Sequence, residues 1–246
     1  MNHVSKKRGA VLVSLGVLLA GLLLAAALWA PAVREGDAIR AAVTGIYETQ
    51  AQMGSFRSPD GRSGSLPQEE LDQLAADFDA KVDRCYAQGT YCNTFYKWLN
   101  RDCLFRSHQN EVDVCLAGGV SQCDLTGITL SRDGTEATVS ATVTTWNKWV
   151  TQGEDGRYTV SHPVNRDQTR VKLVKEDGLW KLAETLSFDK GQDGFDPAAA
   201  DPDAAVPEEI RRSEAILSAT YDSYQAARDA VLSIDVEKGN YFALGG

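Results

Sequence analysis

The run Ala10–Ala30 limits this chain more than any other feature, because its only polar side chain is Ser14. At ~1.5 Å rise per residue, such a run spans the ~30 Å hydrocarbon core of a bilayer as a helix. Backbone groups there find no water, so they must bond within the segment. Lys6, Lys7 and Arg8 precede the run without an acid among them. That bias holds the N-terminus in the cytoplasm and sends the remainder out. Trp29 then reaches the outer interface, where an amphipathic ring is favoured. The sequence thus predicts a cytoplasmic tail over 1–9, a transmembrane signal anchor over 10–32 and an extracytoplasmic remainder. A cleaved signal peptide is the alternative, with Ala30-Pro31-Ala32 resembling a cleavage site and secretion following cleavage near Ala32. The run is longer than the ~7–15 residues of an ordinary signal-peptide apolar region, which favours the anchor.

Charge narrows the partners. The formal net charge is −9, and residues 1–33 hold three cations and no acid, so the exported part carries −12. An acidic surface argues against nucleic acid and against adhesion to anionic lipid. The expected partners are the bilayer, through residues 10–32, and another envelope protein.

Cys85, Cys92, Cys103, Cys115 and Cys123 fall within one segment. Outside the cytoplasm such clustering predicts a disulfide framework, with one cysteine left over. Free thiols and a metal site are the competing readings, and no C-x-x-C pair supports the metal. A helix over 91–104 would hold Cys92 and Cys103 about 16 Å apart, beyond the ~7 Å that a disulfide bridges. Cys115 with Cys123, or Cys85 with Cys92, stay open.

Apolar residues recur at helical spacing over 36–53, again from Leu71 through Phe78 and Val82 to Cys85, and again from Tyr91 to Leu104. Ser65 and Gln68 resemble a capping box, with Pro67 in the first turn. After Gly118 the period becomes two. Ala137, Val139, Ala141 and Val143 alternate with polar neighbours, and Trp146 then breaks the parity, which predicts a bulge. Ile128 and Leu130 mark a strand before the Ser131–Gly134 turn. Tyr158–Leu173 reads as one strand bent near Pro163–Thr169, and Trp180–Phe188 as the last strand, entered through Glu176-Asp177-Gly178. Helices followed by long antiparallel strands with tight turns predict an α+β class. The expected architecture is an N-terminal transmembrane helix, helices packed on a curved four-stranded antiparallel sheet, and an extra C-terminal helix.

The segment Gly127–Phe188, above all Glu176-Asp177-Gly178-Leu179-Trp180-Lys181-Leu182, resembles the nuclear-transport-factor-2-like (cystatin-like) cone family. The resemblance covers roughly 35–188. It implies a curved sheet wrapped on helices, with a pocket at the open end. Membrane-anchored members occur in bacterial envelopes, as components of secretion machines and as accessory domains of cell-wall proteins. The cysteine-rich stretch departs from the family pattern.

Residues 189–206, rich in Gly, Pro, Ala and Asp, read as a flexible acidic linker. A C-terminal amphipathic helix is predicted over 207–234, with Ile210, Leu217, Tyr221, Tyr224 and Val231 on one stripe. That stripe either docks on its own domain or binds a partner.

No catalytic motif, metal-ligand set or cofactor loop stands out. Trp146, Trp149 and His162 are the candidate pocket residues, and His162 is the one tempting base. The expected function is a non-enzymatic interaction or scaffold component of the cell envelope. A binding module for a small hydrophobic or peptide ligand is one alternative, and an isomerase- or hydrolase-like enzyme the other.

Overall fold

The computed structural model describes residues 35–107, 111–186, 212 and 215–235. The tail 1–9, the anchor expected over 10–32, and the linker 189–206 lie outside these residues. Among the described residues no helix is long and apolar enough to cross a membrane. The chain divides into two units, Met1–Ile39 and Arg40–Gly246. Of the first, 35–39 is described, and it is the start of a helix, α1, that runs over 35–51. The elements below belong to the second unit.

α1 buries Val43 and Ile46, and the turn that follows it closes at Gly54, whose φ of +66 suits a residue without a Cβ. Gly54 N–H donates to Asn100 Oδ1 at 2.8 Å. α2 is Gln68–Cys85, and its buried stripe Leu71, Ala75, Phe78, Val82 repeats at four, three and four residues. Glu69 and Glu70 in its first turn, and Arg84 in its last, suit the helix dipole. The expected capping box does not form. Ser65 sits in a short 3-10 turn, Ser63–Ser65, and donates Oγ–H to Arg62 O at 2.8 Å. α3 is Tyr91–Asp102, capped by Thr90, whose hydroxyl accepts from Asn93 N–H. A π-type turn, Cys103–Ser107, follows where the sequence predicted more α-helix.

Among the described residues the sheet is antiparallel and has six strands rather than the expected four. They are β1 Asp113–Leu130, β2 Glu136–Gln152, β3 Tyr158–Ser161, β4 Val164–Glu176, β5 Leu179–Leu186 and β6 Thr220–Tyr221. The order is β5-β4-β2-β3-β6, with β1 on the other edge of β2. The bent strand expected from Tyr158 is two strands, separated at His162-Pro163, since proline has no N–H for the ladder. β2 accordingly pairs with β4 up to Trp146↔Val164 and with β3 from Trp149↔Ser161. Asp177 and Gly178, at φ 52 and 79, make the tight turn from β4 into β5.

The parity slip in β2 is real. Ala137, Val139, Ala141 and Val143 are buried at one end, Lys148 and Val150 at the other, so the two ends bury opposite faces. The bulges lie on the neighbouring strand, however. β1 shifts register against β2 between Cys115/Ala117, Val120/Gln122 and Leu125/Gly127. Each inserted residue twists and bends the pair.

One face meets α1 and α2. Tyr86, at the end of α2, is fully buried and donates its O–H to Ile46 O at 3.4 Å. The other face holds a cluster containing Val114, Leu116, Val150 and Val160, closed over by Tyr224, Ala227 and Val231 of the last helix. That helix, α5, is Tyr224–Leu232; a short helical turn at 215–217, α4, precedes β6.

Two successive residues of β2 pin a helix end on each face. Asn147 Nδ2–H donates to Ala51 O, at the end of α1, at 2.6 Å. Lys148 is 6% exposed and donates from Nζ to the carbonyl of Leu232, the last residue of α5, at 3.2 Å and to Ile234 O, two residues on, at 2.6 Å. A cation suits the negative end of a helix dipole. Burial pushes the Lys148 pKa down. Lys148→Ala is expected to lose about 2–3 kcal/mol, since two buried carbonyls lose a charged donor. Urea unfolding measures the loss, and limited proteolysis should cut near Ile234 first.

Candidate functional site

Trp146, Trp149 and His162 do not line one pocket. Trp146 and Trp149 differ in parity on β2, so their rings leave opposite faces. The Trp146 ring covers Gly119 directly across the ladder, where a Cβ would lie 3.0 Å from it. The His162 ring is 6.0 Å away and Lys148 Nζ 5.7 Å, a cation over an aromatic face. Trp149 pairs with Cys115 and Ser161. His162 is 7% exposed, and its Nδ1 lies 2.7 Å from Asn147 O. A carbonyl can only accept, so Nδ1 carries the proton. Burial, ahead of the nearby Lys148 charge, lowers the His162 pKa. The geometry makes His162 a strut at the break between β3 and β4.

All five cysteines are free, which corrects the disulfide reading. Cys115 and Cys123 lie on the one strand Asp113–Leu130, eight residues or about 26 Å apart along it, against the ~7 Å a disulfide needs. Cys85 and Cys92 turn to different neighbours. Cys85 Sγ takes the Thr49 hydroxyl at 3.6 Å, while Cys92 bonds the Thr185 backbone. Cys103 packs beside Gly54, and Cys115 Sγ lies 3.6 Å from Asn147 Nδ2. Burial raises the thiol pKa of Cys85, Cys92, Cys103 and Cys123, which leaves them poor nucleophiles. Among the described residues no three His, Cys, Asp or Glu side chains group to hold a metal ion.

The C-terminal segment is not one helix presenting a stripe. Ile210 lies outside the described residues. Leu217 and Tyr221 pack against the second core, and Tyr224 and Val231 are buried in it. Thr220 and Tyr221 pair with Thr159 and Tyr158 as strand β6, and Ser223 then caps α5 by accepting from Ala226 N–H. For Leu217, Tyr221, Tyr224 and Val231 this corrects the partner-binding reading, because they pack within the domain. The helical period ran on through Ser218–Ser223, where a strand and a cap intervene.

What the fold leaves available is an edge. β1 pairs with β2 along its length, and among the described residues no strand pairs with its other side. Its first part is covered, with Val114, Cys115 and Leu116 buried. Arg40 Nη1–H caps Cys123 O at 2.7 Å. Beyond Leu125 the cover ends: residues 126–130 are exposed on both faces, Ile128 by 40% and Leu130 by 43%. Edge strands are usually guarded by Lys, Pro or a covering element. β1 contains no Lys, Arg or Pro, and its two charges are Asp113 and Asp124. β5 shows the contrast. Tyr86 bridges to Leu182, and Ala87 N–H donates to Leu182 O at 2.8 Å, so its outer side is occupied. The β1–β2 hairpin tip is well braced. Ser131 Oγ–H and Thr135 Oγ1–H donate to Asp133 Oδ1 at 2.7 and 2.8 Å. Those bonds, Ser131 first, hold the Asp133 carboxyl below the usual carboxylate range. The sequence signal for this edge was the absence of Lys, Arg and Pro in Asp113–Leu130, but only the pairing order tells that the strand lies outermost.

No family model and no curated protein matches this sequence. Among solved structures, the intermembrane space region of the chloroplast protein ARC6 is similar at 12% identity, with a TM-score of 0.33, over 49% of this chain and 95% of that one. A likeness of that degree leaves fold and function to be argued from this chain's own residues. The resemblance of Gly127–Phe188 to the nuclear-transport-factor-2-like cone has no matching family model behind it.

Proposed function

We propose that this chain is a single-pass, membrane-anchored extracytoplasmic interaction protein without catalytic activity. It offers the outer edge of β1 to an extended segment of another envelope protein. The observation that carries this reading is the unguarded run 126–130, exposed on both faces at the free side of β1. A strand added there would satisfy the unpaired N–H and C=O groups of β1, while Ile128 and Leu130 supply apolar contacts. The exported part's charge of −12 favours a neutral or basic partner segment. The apolar run Ala10–Ala30 and its preceding cations support the anchoring and the orientation. Helices packed on an antiparallel sheet support the α+β class that a cone-like domain would need.

A photo-crosslinking residue at Leu130, introduced into the full-length protein in cells, tests this. A single discrete adduct is expected at Leu130, none at exposed Glu154 in the distant β2–β3 turn, and none at Leu130 once Ile128→Lys is added. An adduct of twice the chain mass would identify the partner segment as a second copy. No adduct at Leu130, or one indifferent to the lysine, would sink the proposal.

A further inference from the structure

Two hairpin tips meet at one end of the sheet. β1 and β2 turn at 131–135, β4 and β5 turn at Asp177-Gly178, and Glu136 of the first hairpin pairs with Val174 of the second. Lys175 N–H donates to Thr135 O at 2.9 Å, which ties the tips together. Ile128, Leu130 and Leu179 are three of the five large exposed apolar side chains among the described residues, and all three stand at this end. Leu179 is 52% exposed, directly after the β4–β5 turn. The turn at the opposite end, 153–157, has none. Clustered exposed apolar side chains mark a protein or membrane contact.

The course of α1 decides between the two. Ala51 O lies against Gly118, while Arg40, nearer the start of the helix, reaches Cys123 O at 2.7 Å. Traced back from Ala51 to Arg40, the chain heads for the tips. Ten residues separate Ala30, the end of the apolar run, from Arg40. Such a stretch spans ~15 Å as a helix and at most ~36 Å extended. From Cys123 to Leu130 β1 runs on by about 23 Å. The tips therefore lie within the tether's reach of the bilayer surface. Their charge suits that place. The exported part carries −12, but residues 126–136 and 172–181 hold four cations against four acids. Lys172 pairs with Glu136 at 3.1 Å and Lys181 with Glu176 at 3.5 Å. An anionic surface repels the acidic remainder and not this end.

We infer that the two hairpin tips rest on the outer surface of the bilayer that holds the chain's own anchor, with Leu179 in the interfacial layer. This rests on the anchored reading above and adds a lipid contact to it. The β2–β3 turn then stands farthest from the membrane.

The test uses the full-length chain in phosphatidylcholine–phosphatidylglycerol vesicles, with a fluorescent non-natural residue placed at Leu179 or at Glu154. Phosphatidylcholine spin-labelled on its headgroup should quench the fluorophore at position 179 and leave that at position 154 bright. The quenching should persist in high salt, which screens charge but not apolar burial. With the fluorophore moved to exposed Arg132 on the other tip, Leu179→Glu should lower the quenching. A photo-crosslinking residue at Leu179 should give lipid adducts in cells. A discrete protein adduct there would assign this end to a protein and overturn the inference, as would no quenching at position 179 or equal quenching at positions 179 and 154. Release of the chain from the vesicles by alkaline carbonate would overturn the anchored reading with it, whereas a carbonate-resistant chain left bright at position 179 overturns this inference alone. Loss of the edge crosslink at Leu130 would leave the quenching as it is.

Discussion

Gly118→Ala is expected to lower the stability of this domain by about 3 kcal/mol, at the upper end of overpacking costs. Gly118 pairs opposite Asn147 on β2, and its backbone lies against the end of α1. A Cβ at that point would fall directly on Ala51 O, with the Ala51 carbonyl carbon at 2.7 Å and Asn147 Nδ2 at 2.5 Å. Neither the carbonyl nor the strand can rotate away, because both are main chain. α1 must move off the sheet, and the Asn147–Ala51 bond at 2.6 Å goes with it. Gln52 Nε2, which donates to Gly118 O at 3.3 Å, loses its seat as well. For a domain of this size the melting temperature should fall by roughly 6–12 °C. Gly127→Ala on the same strand is the control. Its nearest foreign atom would be Ser140 Cβ at 3.9 Å, an ordinary contact. That variant should stay within about 0.5 kcal/mol of the parent or gain slightly from a stiffer unfolded chain. Equal melting of the two variants would show that α1 does not rest on Gly118.

Tyr224→Ala is expected to cost about 4 kcal/mol, in the range for emptying a buried aromatic site. Tyr224 is where the C-terminal segment meets both the sheet and the loop after α1. Its ring stands 6.2 Å from that of Tyr158 and packs on Gly61, where a Cβ would come within 2.7 Å of Cε2. Gly61 has φ +80, so a side chain there is opposed by its backbone as well as by the ring. The hydroxyl behaves differently from the ring. Tyr224 Oη is buried without a hydrogen-bond partner. Tyr224→Phe should therefore be neutral or stabilise by about 1 kcal/mol, because it removes an unmet polar group. Denaturant midpoints for the two variants give the comparison. A Phe variant as weak as the Ala variant would mean that the hydroxyl is bonded and the pocket differently filled. An Ala variant as stable as the parent would mean that the C-terminal segment is not docked.

Much of the local structure was legible. The spacing of Leu71, Phe78 and Val82 places α2, and the alternation from Ala137 to Val143 places β2, because each element buries one face. Asp177-Gly178 makes the turn that its residues favour, since both adopt positive φ. The change of parity near Trp146 was also visible, and it does mark where β2 changes the face it buries. The cause was misplaced, because the inserted residues sit on β1, whose run Val114-Cys115-Leu116 is buried without alternation. The C-terminal segment was misread for a related reason. Its apolar residues keep a helical period through β6, and a period alone cannot show that Thr220 and Tyr221 pair with a strand some sixty residues earlier.

Hydropathy and charge along the chain were enough to settle what each stretch prefers locally: an apolar run with cations before it, amphipathic helices, alternating strands and tight turns. Those preferences come from neighbours in sequence, and neighbours in sequence are all that periodicity can sense. The pairing order, the free side of β1, the separation of the five thiols and the shared end of the two hairpins depend on residues far apart in the chain. Leu130 and Leu179 stand at one end of the sheet only because β2 and β4 pair between them. Gly118 carries no side chain because a helix end from 67 residues earlier rests on it. Such demands are set by packing against distant main chain, and that is why they appeared only in three dimensions.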